Sequence, residues 1–252
     1  MKLLTLARDL RRRRARERQG LFIAEGVRAV EELLASPLVI RGILVAPQLA
    51  DAPRGAALLE SAQIRVSDLS HVDEREFASA AETDSPQGVL AIAEIPVRRL
   101  ADLEVAQRFR LVVLDAVQDP GNVGTILRTA AALGASAVVA MPGTVDLWNA
   151  KVVRSAMGAL FHSPAFMSTW SELDTFRSSH ATAVWGAEAN GTPLERLAPT
   201  DRLALVVGNE GAGLSAEGRE RVEHYVSIPI GATVESLNVA VATGIILYQL
   251  RS

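Results

Sequence analysis

From Leu111 onward the chain carries short apolar runs without polar alternation: Leu111 to Leu114, Ala137 to Ala140, Thr182 to Trp185 and Leu203 to Val207. Strands buried on both faces read this way, so the four predict a parallel sheet covered by helices on both sides. Helices are expected over 123–133, 147–160, 215–224 and 235–250. Ahead of this lies a smaller alternating unit. Leu21 to Gly26 leads into an amphipathic helix with Val27, Val30, Leu33 and Leu34 on one face, stopped by Ser36-Pro37. A buried strand over 39–46, a polar helix over 53–62 and strands over 64–66 and 88–95 complete it. The reading is an α/β protein with a small unit over 1–96, a charged linker over 97–110 and a larger parallel-sheet domain over 111–252.

Composition narrows the classes. The chain has 252 residues, of which 49% are hydrophobic and 22% charged, which excludes a disordered or fibrous protein. There is no cysteine, hence no disulfide framework, thiolate nucleophile or thiolate zinc site. Residues 1–10 lack the continuous apolar core of a signal peptide. The most apolar stretch, Leu237 to Leu247, is too short to span a bilayer. A cytoplasmic protein with no membrane attachment is expected. The four histidines (71, 162, 180 and 224) are scattered without ligand spacing, so no metal is expected.

The net charge of −3 conceals a local asymmetry. Between Arg8 and Arg18 stand seven arginines against Asp9 and Glu17, enough positive charge to neutralise several phosphates. Arg11, Arg12, Arg13, Arg14 and Arg18 are therefore candidate phosphate contacts, and RNA contacts if the resemblance given below holds. A solvated helical face is the alternative reading.

Three segments sit where parallel sheets bind ligands, beyond the carboxyl ends of strands. In Asp115-Ala-Val-Gln-Asp119-Pro-Gly-Asn122, the turn leads into a helix that Asn122 could cap. Capping does not account for Arg128, which interrupts Ile126, Leu127, Ala130 and Ala131 and as a buried charge would need a partner. Val207-Gly208-Asn209-Glu210-Gly211 is a strand end and a glycine turn, open to a tight-turn or a nucleotide-binding reading. It matches neither G-x-G-x-x-G nor the Walker A spacing, which argues against a nicotinamide-dependent oxidoreductase. In the third segment, Ile228 to Gly244, Ser236 and Asn238 open the last helix. Asn238 lies in an apolar run where a buried amide must find a hydrogen bond.

Taken together, Asn122 six residues before Arg128, Gly208-Asn209-Glu210-Gly211, and Ser236-Leu237-Asn238 resemble the motifs of the SpoU (TrmH-like) RNA ribose 2′-O-methyltransferases of the SPOUT superfamily. Leu21 to Gly26 and Ser85 to Leu90 are similar to the ribosomal-protein-L30e-like substrate domain found in many such enzymes. The resemblance implies a deep trefoil knot in the C-terminal domain and a homodimer. It also implies S-adenosylmethionine as cofactor, and structured RNA, ribosomal rather than transfer RNA, as substrate. The cofactor loops map by resemblance to Trp185, Gly186 and Ala187; to Val207, Gly208, Asn209 and Gly211; to Ile228 and Ile230; and to Leu237. The implied catalytic set is Arg128, Asn122, Glu210, Ser236 and Asn238. In the family the matching arginine is proposed as the base. A guanidinium with a pKa above about 12 accepts protons poorly, so Arg128 is read here as a clamp on phosphate and developing alkoxide, in its own or a partner's pocket. A non-catalytic RNA-binding protein on the same fold is the competing reading, against which the complete motif set argues.

Overall fold

The computed structural model describes residues 2–198, 200–231 and 233–250. The chain divides into two compact units, one of 1–97 with 148–162, the other of 98–147 with 163–252.

The first unit begins with α1 (Leu3–Leu10) and α2 (Arg13–Gln19), then β1 (Leu21–Glu25), α3 (Val27–Leu34), β2 (Ile40–Val45), α4 (Pro53–Arg65), β3 (Leu69–His71), α5 (Glu74–Ala80) and β4 (Val89–Glu94). Its sheet runs β1-β4-β2-β3, antiparallel except for the β2 and β3 pair. Ile23, Leu44, Phe77, Leu90 and Ile92 form its core with α1. The two motif segments of this unit have structural work. Gly26 (φ +98°) opens α3 without a side-chain cap, and the Gln87 Oε1 supplies one by accepting from Val27 N at 2.9 Å. Glu25 is buried; it accepts from Glu82 N at 2.8 Å and from the Thr83 hydroxyl, and lies 3.7 Å from the Arg154 guanidinium.

The second unit contains β5 (Phe109–Leu114), α6 (Pro120–Ala132), β6 (Ala137–Ala140), β7 (Ala165–Met167), α9 (Trp170–His180), β8 (Ala183–Pro193), β9 (Arg202–Val207), α10 (Ala216–Arg219), β10 (His224–Ser227) and α11 (Val239–Gln249). Between β6 and β7 the chain contributes α7 (Ala150–Ser155) and α8 (Ala159–His162) to the first unit. There, Phe22 packs its ring against Trp148 and Phe161. The six-stranded sheet, ordered β10-β8-β9-β5-β6-β7, is parallel throughout. The central strands β5, β6 and β9 are buried almost end to end, which is why their sequences show no polar alternation.

Several expected elements differ. The expected strand over 64–66 overlaps the end of α4, with Ile64 exposed to solvent, and the third strand is Leu69–His71 instead. The helix expected over 147–160 is broken by left-handed turns at Met157 and Gly158, where a β-carbon on Gly158 would press on Glu32. Of 215–224 only Ala216–Arg219 is helical, because the chain must reach β10 at His224. The last helix starts at Val239, not 235. The chain joins the second unit before 111: Leu100 and Phe109 are buried in its core.

Glu25→Ala would orphan a backbone N–H and a hydroxyl and leave Arg154 uncompensated. We expect it to lower the unfolding free energy by about 2–3 kcal/mol in urea titration.

Candidate active site

The carboxyl ends of β9, β8 and β10 and the approach to α11 surround a cavity of about 630 Å³. That is within the usual range for a small-molecule site. Three local features shape it. The β8 and β10 pairing slips between Tyr225 and Val226, so that residues 187–191 of β8 bulge out and Ala187, Glu188 and Ala189 reach the wall. The turn after β9 closes on itself, Asn209 N donating to Gly213 O and Gly213 N to Asn209 O, both at 2.9 Å. A β-carbon on Gly208 would collide with the Gly213 backbone, so this turn accepts only glycine there. Inside it the Asn209 Oδ1 accepts from Gly211 N at 2.9 Å and Ala212 N at 3.0 Å, while its Nδ2 donates to Ala116 O at 3.1 Å.

Of the ten residues assigned to cofactor loops, Ala187, Val207, Gly208, Asn209, Gly211, Ile228, Ile230 and Leu237 line this one cavity. Trp185 and Gly186 are not on its wall. Trp185 is buried with its ring nearly perpendicular to that of His224, and Gly186 gives space to Leu214 and Val222. Glu210, Ser236 and Asn238 also line the cavity. Asn122 joins them through hydrogen bonds. Asn238 Nδ2 donates to Asn122 Oδ1 at 2.9 Å, and Asn122 Nδ2 donates to Glu210 Oε1 at 2.7 Å. Three motifs separated by 88 and 116 residues thus meet in one chain of polar groups.

Two sequence-based readings need correction here. The cap of α6 is Asp119, whose carboxylate accepts from Asn122 N at 2.8 Å, and this leaves the Asn122 side chain available for the bridge. Asn238 is the exposed cap of α11 rather than a buried amide. Its oxygen accepts from Ala240 N at 2.9 Å and Val241 N at 3.3 Å.

Arg128 stands apart. It is exposed on the face of α6 that carries Thr125, makes no hydrogen bond or ion pair among the described residues, and is not on the cavity wall. The apolar neighbours that implied burial, Ile126, Leu127 and Ala130, occupy the opposite, inward face.

Sequence reasoning missed Glu188 and Glu235. They are the other ionisable groups on the wall besides Glu210, and the wall bears no cationic side chain among the described residues. Glu188 is held by Arg219 at 2.7 Å, and this hydrogen bond holds the guanidinium above its usual pKa. The bulge that brings Glu188 inward has no signal in a single sequence.

The seven N-terminal arginines do not form one free run. The helix breaks between Leu10 and Arg13. Arg16 is buried and donates to Leu10 O at 2.8 Å and Arg11 O at 2.9 Å, closing the end of α1. Arg11 reaches Ser79 O, Arg12 and Arg18 pair with Asp9, and Arg13 pairs with Glu17. All five candidate RNA contacts are exposed, and Arg14 has no partner among the described residues.

Residues 110–248 match the model of the SpoU rRNA Methylase family. The chain belongs to that family. Residues 5–91 match the MRM3-like substrate binding domain. The chain is 37% identical over 245 residues to the 23S rRNA (guanosine(2553)-2'-O)-methyltransferase RlmP of Bacillus subtilis, covering 97% of this chain and 94% of that one. Among solved structures, an AdoMet-bound rRNA methyltransferase from Sinorhizobium meliloti superposes with a TM-score of 0.86 at 28% identity, over 99% of this chain and 94% of that one. The SpoU methyltransferase AviRb from Streptomyces viridochromogenes, in complex with AdoMet, gives 0.87 at 28% identity, over 100% and 97%.

Gly208→Ala should distort the turn that presents Glu210. We expect a stability loss of about 1–3 kcal/mol in thermal denaturation, against little change for Gly211→Ala, whose β-carbon has space.

Proposed function

We propose that this chain transfers a methyl group from S-adenosylmethionine to a ribose 2′-hydroxyl of ribosomal RNA. The observation that carries the reading is the Asn238, Asn122 and Glu210 hydrogen-bonded chain at the rim of a cavity walled by the motif glycines. The cavity fits the donor by its chemistry: glycine backbone for close approach, apolar Ile228 and Leu237 for a base, and for a sulfonium the carboxylates of Glu210 and Glu235, which have no cationic partner on the wall among the described residues, Glu188 being paired with Arg219. When bound, the donor supplies an electrophilic methyl carbon. The chain's own groups align the acceptor hydroxyl and manage its charge. Asn122 fixes Glu210, leaving the carboxylate's other oxygen for a nucleotide hydroxyl or a guanidinium. Ser236, exposed on the wall and without a hydrogen bond among the described residues, is placed to contact the ribose.

Arg128 completes the site from a second copy of the chain. On α11 the apolar residues Val241, Ile245 and Tyr248 are 51%, 42% and 55% exposed, spaced four and three residues apart on one face. With Thr125 and Thr129 of α6 they line a shallow depression, and Arg128 directly precedes Thr129 and follows Thr125 by three residues, about one helical turn. A homodimer that covers this face brings each Arg128 to the partner's pocket, where it clamps the phosphate next to the target ribose and stabilises the alkoxide. The trefoil knot implied by the family resemblance belongs to this reading. The protein works in the cytoplasm, where ribosomal RNA is assembled, and Arg11 to Arg14 with Arg18 supply phosphate contacts. Their surface ion pairs are worth at most about 1 kcal/mol each, so a phosphate can displace the carboxylates.

Labelled methyl transfer to ribosomal RNA, followed by digestion and mass spectrometry, should find 2′-O-methylated nucleosides. Base methylation alone would refute the ribose assignment. Arg128→Ala and Glu210→Gln should each lose most activity. Mixing and re-equilibrating the two variants should restore about a quarter of it, because half the dimers then hold one intact composite site. No restoration would place Arg128 in its own subunit's pocket. Replacing Arg11, Arg14 and Arg18 together by alanine should weaken RNA binding and reduce the slope of log K against log salt by about 2–3.

A further inference from the structure

Asp115 follows directly on β5 and is 1% exposed. Its backbone N–H donates to Val207 O at 2.9 Å, the residue that enters the glycine turn. Its side-chain Oδ2 accepts from Ser215 N at 2.7 Å, the residue that leaves the turn and caps α10. One residue therefore grips both ends of the segment 208–214, whose Gly208, Asn209, Glu210 and Gly211 line the cavity and whose Glu210 holds Asn122. The next residue strengthens the grip. Ala116 is in the left-handed region at φ +55°, and its carbonyl accepts from Asn209 within the turn.

This arrangement is costly. The Asp115 Oδ1 is buried without a hydrogen-bond partner among the described residues. A carboxylate held by one hydrogen bond is a poor stabiliser of a core. The surroundings are nonetheless cut to fit it: a β-carbon on Gly218 of α10 would run into Oδ2. A group that adds so little to the fold, and is accommodated so closely, makes sense as a constraint on the turn.

We propose that Asp115 is the positioning residue of the donor site. It touches neither donor nor RNA, and acts by fixing the 208–214 turn in the shape that binds the donor and presents Glu210. The inference rests on the donor reading above and adds a residue to it.

The test is titration calorimetry of the full chain with S-adenosylmethionine and, separately, with S-adenosylhomocysteine, together with RNA binding. Losing a hydrogen bond to a charged group predicts that Asp115→Ala raises the Kd for both small molecules about 10- to 100-fold. RNA affinity should stay within about 2-fold, below the cost of even one weak hydrogen bond. Asp115→Asn keeps an oxygen that can accept from Ser215 and should bind the donor within about 3-fold of the parent. A purely structural role would lower the melting temperature without this selective loss of donor affinity. If Asp115→Ala does not fold, Ser215→Pro is compared with Ser215→Ala. Residue 215 already has φ −64°, the proline value, so the proline variant lacks the N–H beyond what the alanine variant lacks. It should bind the donor about 10-fold more weakly than the alanine variant. Equal donor affinity in Asp115→Ala and the parent, or in the two Ser215 variants, overturns the proposal, as does an Asp115→Asn variant as weak as Asp115→Ala. A parent chain that binds neither small molecule overturns the donor reading itself, and this inference with it.

Discussion

Both polar atoms of the Asn122 side chain are committed, one to Asn238 and the other to Glu210. A primary amide is suited to this place because it offers an acceptor and donors on one rigid plane. The consequence is mutual dependence. Asn122 is free to bridge because Asp119 caps α6, and Asn238 is within reach because it caps α11 while still offering its nitrogen. Glu210 faces Asn122 because a turn requiring glycine at 208 carries it there. Asn122, Glu210 and Asn238 thus each fix a helix end or depend on a neighbour that fixes a helix end or a turn.

The parallel sheet was legible in advance for a definite reason. Strands covered on both faces have no polar side, so 111–114, 137–140 and 203–207 announced themselves. Shorter or less apolar strands did not. Leu69–His71 and Ala165–Met167 have three residues each, too few for periodicity, and Ile64 was mistaken for a strand residue because an exposed isoleucine at a helix end looks the same in sequence as a buried one.

Part of the candidate set was legible as neighbours: Asn122, Glu210 and Asn238 are joined by hydrogen bonds, while Arg128 stands apart. The residue types in the three motifs pointed to one locus, and the hydrogen bonds of Asn122 show why they are spaced so far apart in sequence. The sequence leaves open whether Asn122 caps α6, since Asp119 and Asn122 are both capping residue types and only backbone geometry decides between them in favour of Asp119. Arg128 was expected to be buried because a thirteen-residue helix with many apolar positions hides which face is outward. Glu188 was invisible, since a strand irregularity is a property of the pairing partner as much as of the strand.

The excursion of residues 148–162 into the first unit has a bearing on how such a chain can be inherited. The polypeptide passes between its units three times, so no single crossover point in a gene separates them cleanly. A recombinant that exchanged only the first hundred codons would pair a foreign β1 with the resident Trp148, Phe161 and Arg154, whose partners are Phe22 and Glu25. Descent with a stable fold therefore favours moving the whole chain, or changing the aromatic trio and the Glu25–Arg154 ion pair together.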